Sequence, residues 1–175
     1  MIRAIYPATF DPITMGHVDI ATRAAGLFDE LVVGVYDRPL KNLLFSPEER
    51  YQMTRDVLAS IPNVRVERYA GLTVEFARQQ NATVIVRGLR AVSDFEWELQ
   101  LALTNRNLNP DVDTVCLMAS QKYLFLSSSV VKEVAFAGGD VSDMVPEIVL
   151  KPLLEKIRAL GGDGGGKVRT ISVRD

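Results

Sequence analysis

The chain has 175 residues, 47% hydrophobic and 24% charged, the make-up of one globular domain whose core needs no disulfide or structural metal. Its 20 Lys and Arg stand against 22 Asp and Glu, a net charge of −2, which argues against a protein built mainly to neutralise nucleic-acid phosphate. A single cysteine, Cys116, and a single histidine, His17, exclude a disulfide framework, a cysteine zinc site and a multi-histidine metal centre. No apolar run nears the ~20 residues that cross a bilayer. The opening residues show no secretory-signal pattern, so a cytoplasmic location with no membrane partner is expected.

In chain order, residues 2–6 predict a first strand, and Val18, Ala21, Ala25 and Phe28 share one face of a following helix. Residues 31–36 predict a second strand. Ser46-Pro47-Glu48-Glu49 predicts a helix start: Ser46 caps, Pro47 suits the first turn and Glu49 completes a capping box. A strand at 64–69, a helix at 73–80 and a strand at 83–87 come next. Phe95, Leu99, Ala102 and Leu103 mark a fourth helix, with Trp97 and Leu101 on a second apolar face, read first as core packing and second as a subunit contact. A fifth strand at 113–118 leads to a helix at 127–136, ended by Gly138-Gly139, and to a last helix at 146–160 that Pro152 is expected to kink or restart.

Short β-branched strands alternating with helices define the α/β class. The expected architecture is a single doubly wound, Rossmann-like domain with a five-stranded parallel sheet and a C-terminal helix, over residues 1–160. Residues 161–175 hold five of the 12 glycines and read as a flexible tail. Gly161, Gly166 and Lys167 have P-loop spacing, but Val168 stands where a magnesium-binding hydroxyl would be and the segment follows a helix, so that reading is rejected. In such a sheet a ligand lies beyond the carboxyl ends of the strands, at the switch point.

The loops there carry anion-seeking groups. After the first strand, Pro7-Ala8-Thr9-Phe10-Asp11-Pro12-Ile13-Thr14-Met15-Gly16-His17 enters a helix whose first-turn N–H groups attract an anion. Gly16 lets a phosphate approach the backbone, His17 sits on the first turn with a ring that a nearby phosphate would keep protonated, and Thr9 adds a hydroxyl. Arg87 and Arg90 flank Gly88 at the end of the fourth strand, and arginine makes bidentate phosphate contacts. Ser127-Ser128-Ser129 opens a helix as a second anion cradle, and Lys41 lies in the loop after the second strand. Several phosphates around one cleft point to phosphoryl or nucleotidyl transfer, which needs positioning and charge stabilisation more than covalent catalysis.

The run from Tyr6 to His17, ending in Thr14-Met15-Gly16-His17, resembles the signature of the nucleotidyltransferase superfamily. With Ile85-Val86-Arg87-Gly88-Leu89-Arg90, its extension to Glu96, and Ser127-Ser128-Ser129-Val130-Val131-Lys132-Glu133, the chain resembles the bacterial phosphopantetheine adenylyltransferase family over residues 2–160. The resemblance implies transfer of the adenylyl group of ATP to 4′-phosphopantetheine, giving dephospho-coenzyme A and pyrophosphate in coenzyme A biosynthesis, with Mg²⁺. It implies His17, Lys41 and Arg90 as the catalytic set and Thr9, Lys41, Thr73 and Arg87 as contacts of the acceptor. For ATP it implies Thr9, Phe10, His17, Gly88, Leu89, Arg90 and Glu98, together with Tyr123, Leu124, Phe125, Leu126, Ser127, Ser128 and Ser129. A homohexamer is implied as well, which the face around Trp97 would suit. No metal ligand on the chain is implied. Ala8 stands where family members commonly carry glycine, and an extended backbone there would tolerate it.

Two rival readings remain open: another adenylyl- or cytidylyltransferase of the superfamily, and a non-catalytic nucleotide-binding module. The run from Arg87 to Glu96 argues against the first, and His17, Lys41, Arg87 and Arg90 together against the second. A dinucleotide-dependent dehydrogenase is excluded because the first turn lacks Gly-x-Gly-x-x-Gly.

Overall fold

Five strands, β1 (Arg3–Ala8), β2 (Glu30–Tyr36), β3 (Val64–Tyr69), β4 (Val84–Leu89) and β5 (Asp113–Met118), form one sheet in the order β3-β2-β1-β4-β5. Every neighbouring pair is parallel. The computed structural model describes residues 1–39 and 42–161. Among these residues six α-helices connect and cover the strands: α1 (Met15–Ala25), α2 (Pro47–Leu58), α3 (Thr73–Gln79), α4 (Val92–Leu108), α5 (Ser128–Phe136) and α6 (Glu147–Ala159). The chain winds outward from β1 through β2 to β3, then returns to the far side of β1 for β4 and β5. The switch point is therefore the gap between the carboxyl ends of β1 and β4.

The fold class is the expected one, and the boundaries differ where pairing outweighs local pattern. β1 continues through Pro7 to Ala8 because Tyr6, Pro7 and Ala8 stay in register with Val33, Gly34 and Val35. β4 continues through Gly88 to Leu89, opposite Leu117 and Met118 of β5. Ser46 and Glu49 form the reciprocal cap of α2 that their spacing predicts. On α1 the face toward the core is Ile20, Ala21, Ala24 and Ala25, whereas Val18 and Phe28 are only partly buried.

One core lies on the side of the sheet covered by α1, α2, α5 and α6, and a smaller one lies under α3, built from Ile5, Val32, Val74, Phe76 and Ile85. α6 does not restart at Pro152. Val149, Leu153 and Ile157, four residues apart on both sides of the proline, pack the whole helix into the larger core. α4 departs most from expectation. Phe95, Leu99 and Leu103 are 53%, 45% and 61% exposed, so they are not core residues. Trp97 is also largely exposed, and Glu98 is the buried residue of the helix.

Candidate active site

The turn from β1 to α1 is fixed by groups beneath it. Ala8 ends β1 in extended backbone, as its side chain requires, and the left-handed residue is Phe10, at φ 53°. A non-glycine residue holds that conformation only when its surroundings over-determine it. Phe10 is 1% exposed and packs edge-on against Tyr6, with ring centroids 5.7 Å apart. The preceding carbonyl, of Thr9, accepts from Nη1 of Arg50 at 2.7 Å. Arg50 is fully buried on α2 and also donates to the carbonyls of Tyr36 (2.7 Å) and Asp37 (3.3 Å), which joins the ends of β1 and β2. Burial holds its pKa below the ordinary arginine value.

His17 stands at the third position of α1 and shares a reciprocal cap with Thr14. Its backbone N–H donates to Thr14 Oγ1 at 3.4 Å, and its Nδ1 accepts from the Thr14 backbone N–H at 3.0 Å. That acceptor role assigns the neutral ring the Nε2–H tautomer, and the ring rests 5.0 Å from Phe10. The ring is thus set by an aromatic neighbour and by a cap that needs Nδ1 free of a proton, so this geometry is that of the neutral ring and not of the protonated form expected beside a phosphate. The open first turn is narrower than expected as well. The Met15 amide donates to Met144 and that of His17 to Thr14, so two of its amides are bonded within the chain.

Across the cleft, Arg87 is held from two sides. Its Nε and Nη2 donate to the two carboxylate oxygens of Glu98, each at 2.7 Å, and its Nη1 donates to the Pro7 carbonyl at 2.9 Å. Burial lowers the pKa of Arg87, but the hydrogen bonds and charge of Glu98 outweigh it and hold the value above the ordinary one. A guanidinium has five N–H donors, so this clamp leaves donors for a phosphate without breaking the pair. Arg90 donates to Asp94 through Nε (3.1 Å) and Nη2 (3.2 Å), and to the Leu126 carbonyl at 3.3 Å. Burial raises the carboxyl of Asp94, and the Arg90 hydrogen bonds bring it below its ordinary range. Gly88 has a packing reason for lacking a side chain: a Cβ there would come 3.3 Å from Ile20 of α1.

The serine segment is anchored rather than open. Ser127 caps α5 by accepting from the Val130 N–H at 3.2 Å, and Ser128 donates to the Pro12 carbonyl at 2.8 Å. The far wall is aromatic. Tyr36 and Tyr69 lie 5.0 Å apart, and Tyr69 stacks on Phe76 at 4.3 Å. Gly34 permits this stack, since a Cβ on it would fall 2.5 Å from Phe76.

These groups line one cleft of about 650 Å³ at the switch point. It brings together Thr9, Phe10, His17, Arg87, Gly88, Arg90, Glu98, Tyr123, Leu126 and the three serines. Leu89, Leu124 and Phe125 do not line it: Leu89 is buried, and Leu124 and Phe125 are 44% and 65% exposed. Thr73 lies behind the wall, 3.3 Å from the Tyr69 hydroxyl. Lys41 and residues 162–175 lie outside the described residues. Sequence reading missed Asp11, Arg50, Tyr36, Tyr69 and Lys132. The carboxylate inside the Phe10-Asp11-Pro12 turn was the one local signal among them.

Among the described residues no group of three or more His, Cys, Asp or Glu is placed to hold a metal ion, and no helix is long and apolar enough to cross a membrane. The carboxylates at the cleft, Asp94 and Glu98, are held by Arg90 and Arg87. The cleft therefore carries on its rim two arginines paired with carboxylates and is aromatic at one end, and the remaining guanidinium donors suit a polyphosphate beside a less polar arm.

The cytidylyltransferase-like family model matches residues 5–134. A phosphopantetheine adenylyltransferase from Caldanaerobacter subterraneus subsp. tengcongensis is 53% identical over 155 residues, 89% of this chain and 97% of the relative. One from Herpetosiphon aurantiacus is 57% identical over 146 residues, 83% of this chain and 88% of the relative. In fold, the chain is similar to the Plasmodium falciparum nicotinic acid mononucleotide adenylyltransferase complexed with NaAD, with a TM-score of 0.64 and 16% identity, covering 90% of this chain and 94% of that one.

Proposed function

The chain belongs to the phosphopantetheine adenylyltransferases, within the cytidylyltransferase-like family, and from this we propose that it transfers the adenylyl group of ATP to 4′-phosphopantetheine. A phosphate oxygen of phosphopantetheine attacks the α-phosphorus of ATP in line. The bond from that phosphorus to the bridging β-oxygen breaks, and pyrophosphate and dephospho-coenzyme A result. The nucleophile is already an anion, so no general base is required.

The observation that carries this reading is the convergence of His17, Arg87, Arg90 and the start of α5 on one cleft. In our assignment Nε2–H of His17 donates to charge that develops on the α-phosphate, where a preorganised donor acts most strongly. Arg87, steadied by Glu98, holds the acceptor phosphate. Arg90 and the serine segment hold the ATP phosphates, and Lys41 joins Arg87 on the acceptor phosphate. Thr9 and Phe10 lie between the two substrates.

Mg²⁺ enters this reading with the nucleotide. The donors at the cleft are hydroxyls and one imidazole, with the carboxylates held by arginines, so the phosphates would supply most ligands and Thr9 and the serine hydroxyls would face them. When bound, the ion would neutralise charge on the departing pyrophosphate.

The resemblance implies a homohexamer, and the surface of α4 supports a subunit contact: Val92, Phe95, Leu99 and Leu103 expose one apolar stripe and Trp97 a second. A cytoplasmic location fits the substrates. The test is pyrophosphate release from ATP with phosphopantetheine, nicotinamide mononucleotide or glycerol phosphate as acceptor. Turnover with phosphopantetheine alone is expected, and preference for either of the others would overturn the assignment.

A further inference from the structure

Asp11 lies within the turn between β1 and α1, yet it does not line the cleft. It is 2% exposed, and everything its carboxylate touches lies far away in sequence. Oδ1 accepts from the Phe45 N–H at 2.9 Å, and Oδ2 accepts from the Leu44 N–H at 3.0 Å and from Nζ of Lys132 at 2.6 Å. Leu44 and Phe45 lead into the cap of α2, and Lys132 stands on α5. One carboxylate therefore fastens two elements to the turn that carries Thr9 and Phe10.

The attachment to α5 is double. Ser128 and Lys132 are four residues apart, on one face of the helix, and they reach adjacent residues of the turn: Ser128 Oγ the carbonyl of Pro12, Lys132 Nζ the carboxylate of Asp11. Two contacts one helical turn apart fix both the position and the rotation of the helix start. A buried ion pair is weak evidence for stability, because desolvation of two charges offsets their attraction. What it supplies is direction, since a hydrophobic pair would let the helix slide and a charged pair would not.

We propose that Asp11 and Lys132 are a positioning pair for the transfer, setting the start of α5 against the turn at Thr9 and Phe10 without touching either substrate. The inference rests on the assignment above, in which the serine segment faces the ATP phosphates. Loss of the pair then displaces the ATP site and spares the acceptor site, which is anchored on Arg87, Glu98 and Pro7.

The test uses the full chain with both substrates varied in turn. Lys132→Met leaves a buried carboxylate unpaired and endangers folding, so the Asp11→Asn/Lys132→Met double variant is the main probe: it removes both charges and leaves an amide oxygen for Leu44 and Phe45. Folded double variant is expected to show KM for ATP raised about fivefold or more and KM for phosphopantetheine within about twofold of wild type. Lys132→Arg, which restores a charged donor, is expected to recover KM for ATP. Equal movement of both KM values, no movement, or a rise confined to phosphopantetheine would overturn the proposal, because a merely structural role lowers the melting temperature without separating the two substrates. A Lys132→Arg variant no better than the double variant would overturn it too. Wild-type turnover in the same assay reports separately on the assignment itself.

Discussion

In the proposed mechanism His17 serves structure through one ring nitrogen and chemistry through the other. Nδ1 closes the cap of α1 and Nε2 keeps the proton, so the helix start that holds the ring also fixes its tautomer. His17→Ala is expected to lower kcat by about 10²–10³ with little change in KM for ATP, the signature of a donor that acts in the transition state. Steady-state kinetics decide it, and unchanged turnover would remove His17 from the mechanism. Arg87→Ala is expected to raise KM for phosphopantetheine more than KM for ATP; the reverse ordering would exchange the roles of the two arginines. That His17 and Arg87 meet at one cleft was legible because both lie beside a glycine, Arg87 at the end of a strand and His17 at the helix start that follows one, at the carboxyl end of the sheet. Glu98 as the clamp on Arg87, and Arg50 beneath Thr9, were not, since each depends on which side chain a distant element brings into the interior.

At the scale of elements, pattern and structure agree wherever a motif satisfies itself locally. Ser46 and Glu49 are an example, and Ser46→Ala is expected to lower stability by ~1 kcal/mol in urea unfolding. They part where satisfaction comes from a neighbour, as with the continuation of β4 through Gly88 and of α6 through Pro152. A second link between elements is electrostatic. Glu30 at the start of β2 accepts from Arg65 of β3 and Arg3 of β1, and the hydrogen bond from Arg65, with burial opposing it and Arg3 adding to it, holds its carboxyl below the ordinary range. A carboxyl depressed in the folded state stabilises fully above its unfolded pKa of about 4.3 and loses that contribution as pH falls through the folded value. Glu30→Gln is therefore expected to melt lower than wild type at neutral pH, with the two melting curves converging below about pH 4. A gap between them that stays constant across that range would assign the effect to packing.

For the whole molecule, the apolar surface of α4 has no partner within the described chain, and that surface is what core-first reading of its periodicity misjudged. An amphipathic stripe looks the same in sequence whether it meets its own core or another copy. Leu103→Glu, placed on the stripe and away from the cleft, is expected to shift the protein from oligomer to monomer in sedimentation velocity, and an unchanged sedimentation coefficient would rule the stripe out as a subunit contact. Removal of residues 161–175, which follow α6 in sequence, is expected to leave turnover unchanged. The most direct test of the molecule as a whole is a crystal structure with ATP bound. The polyphosphate should lie at the switch point between β1 and β4, with Nε2 of His17 directed at the α-phosphate and Arg90 and the serine segment around the others. Nucleotide bound elsewhere, or the imidazole and both guanidinium groups turned away from it, would contradict the site and the mechanism together.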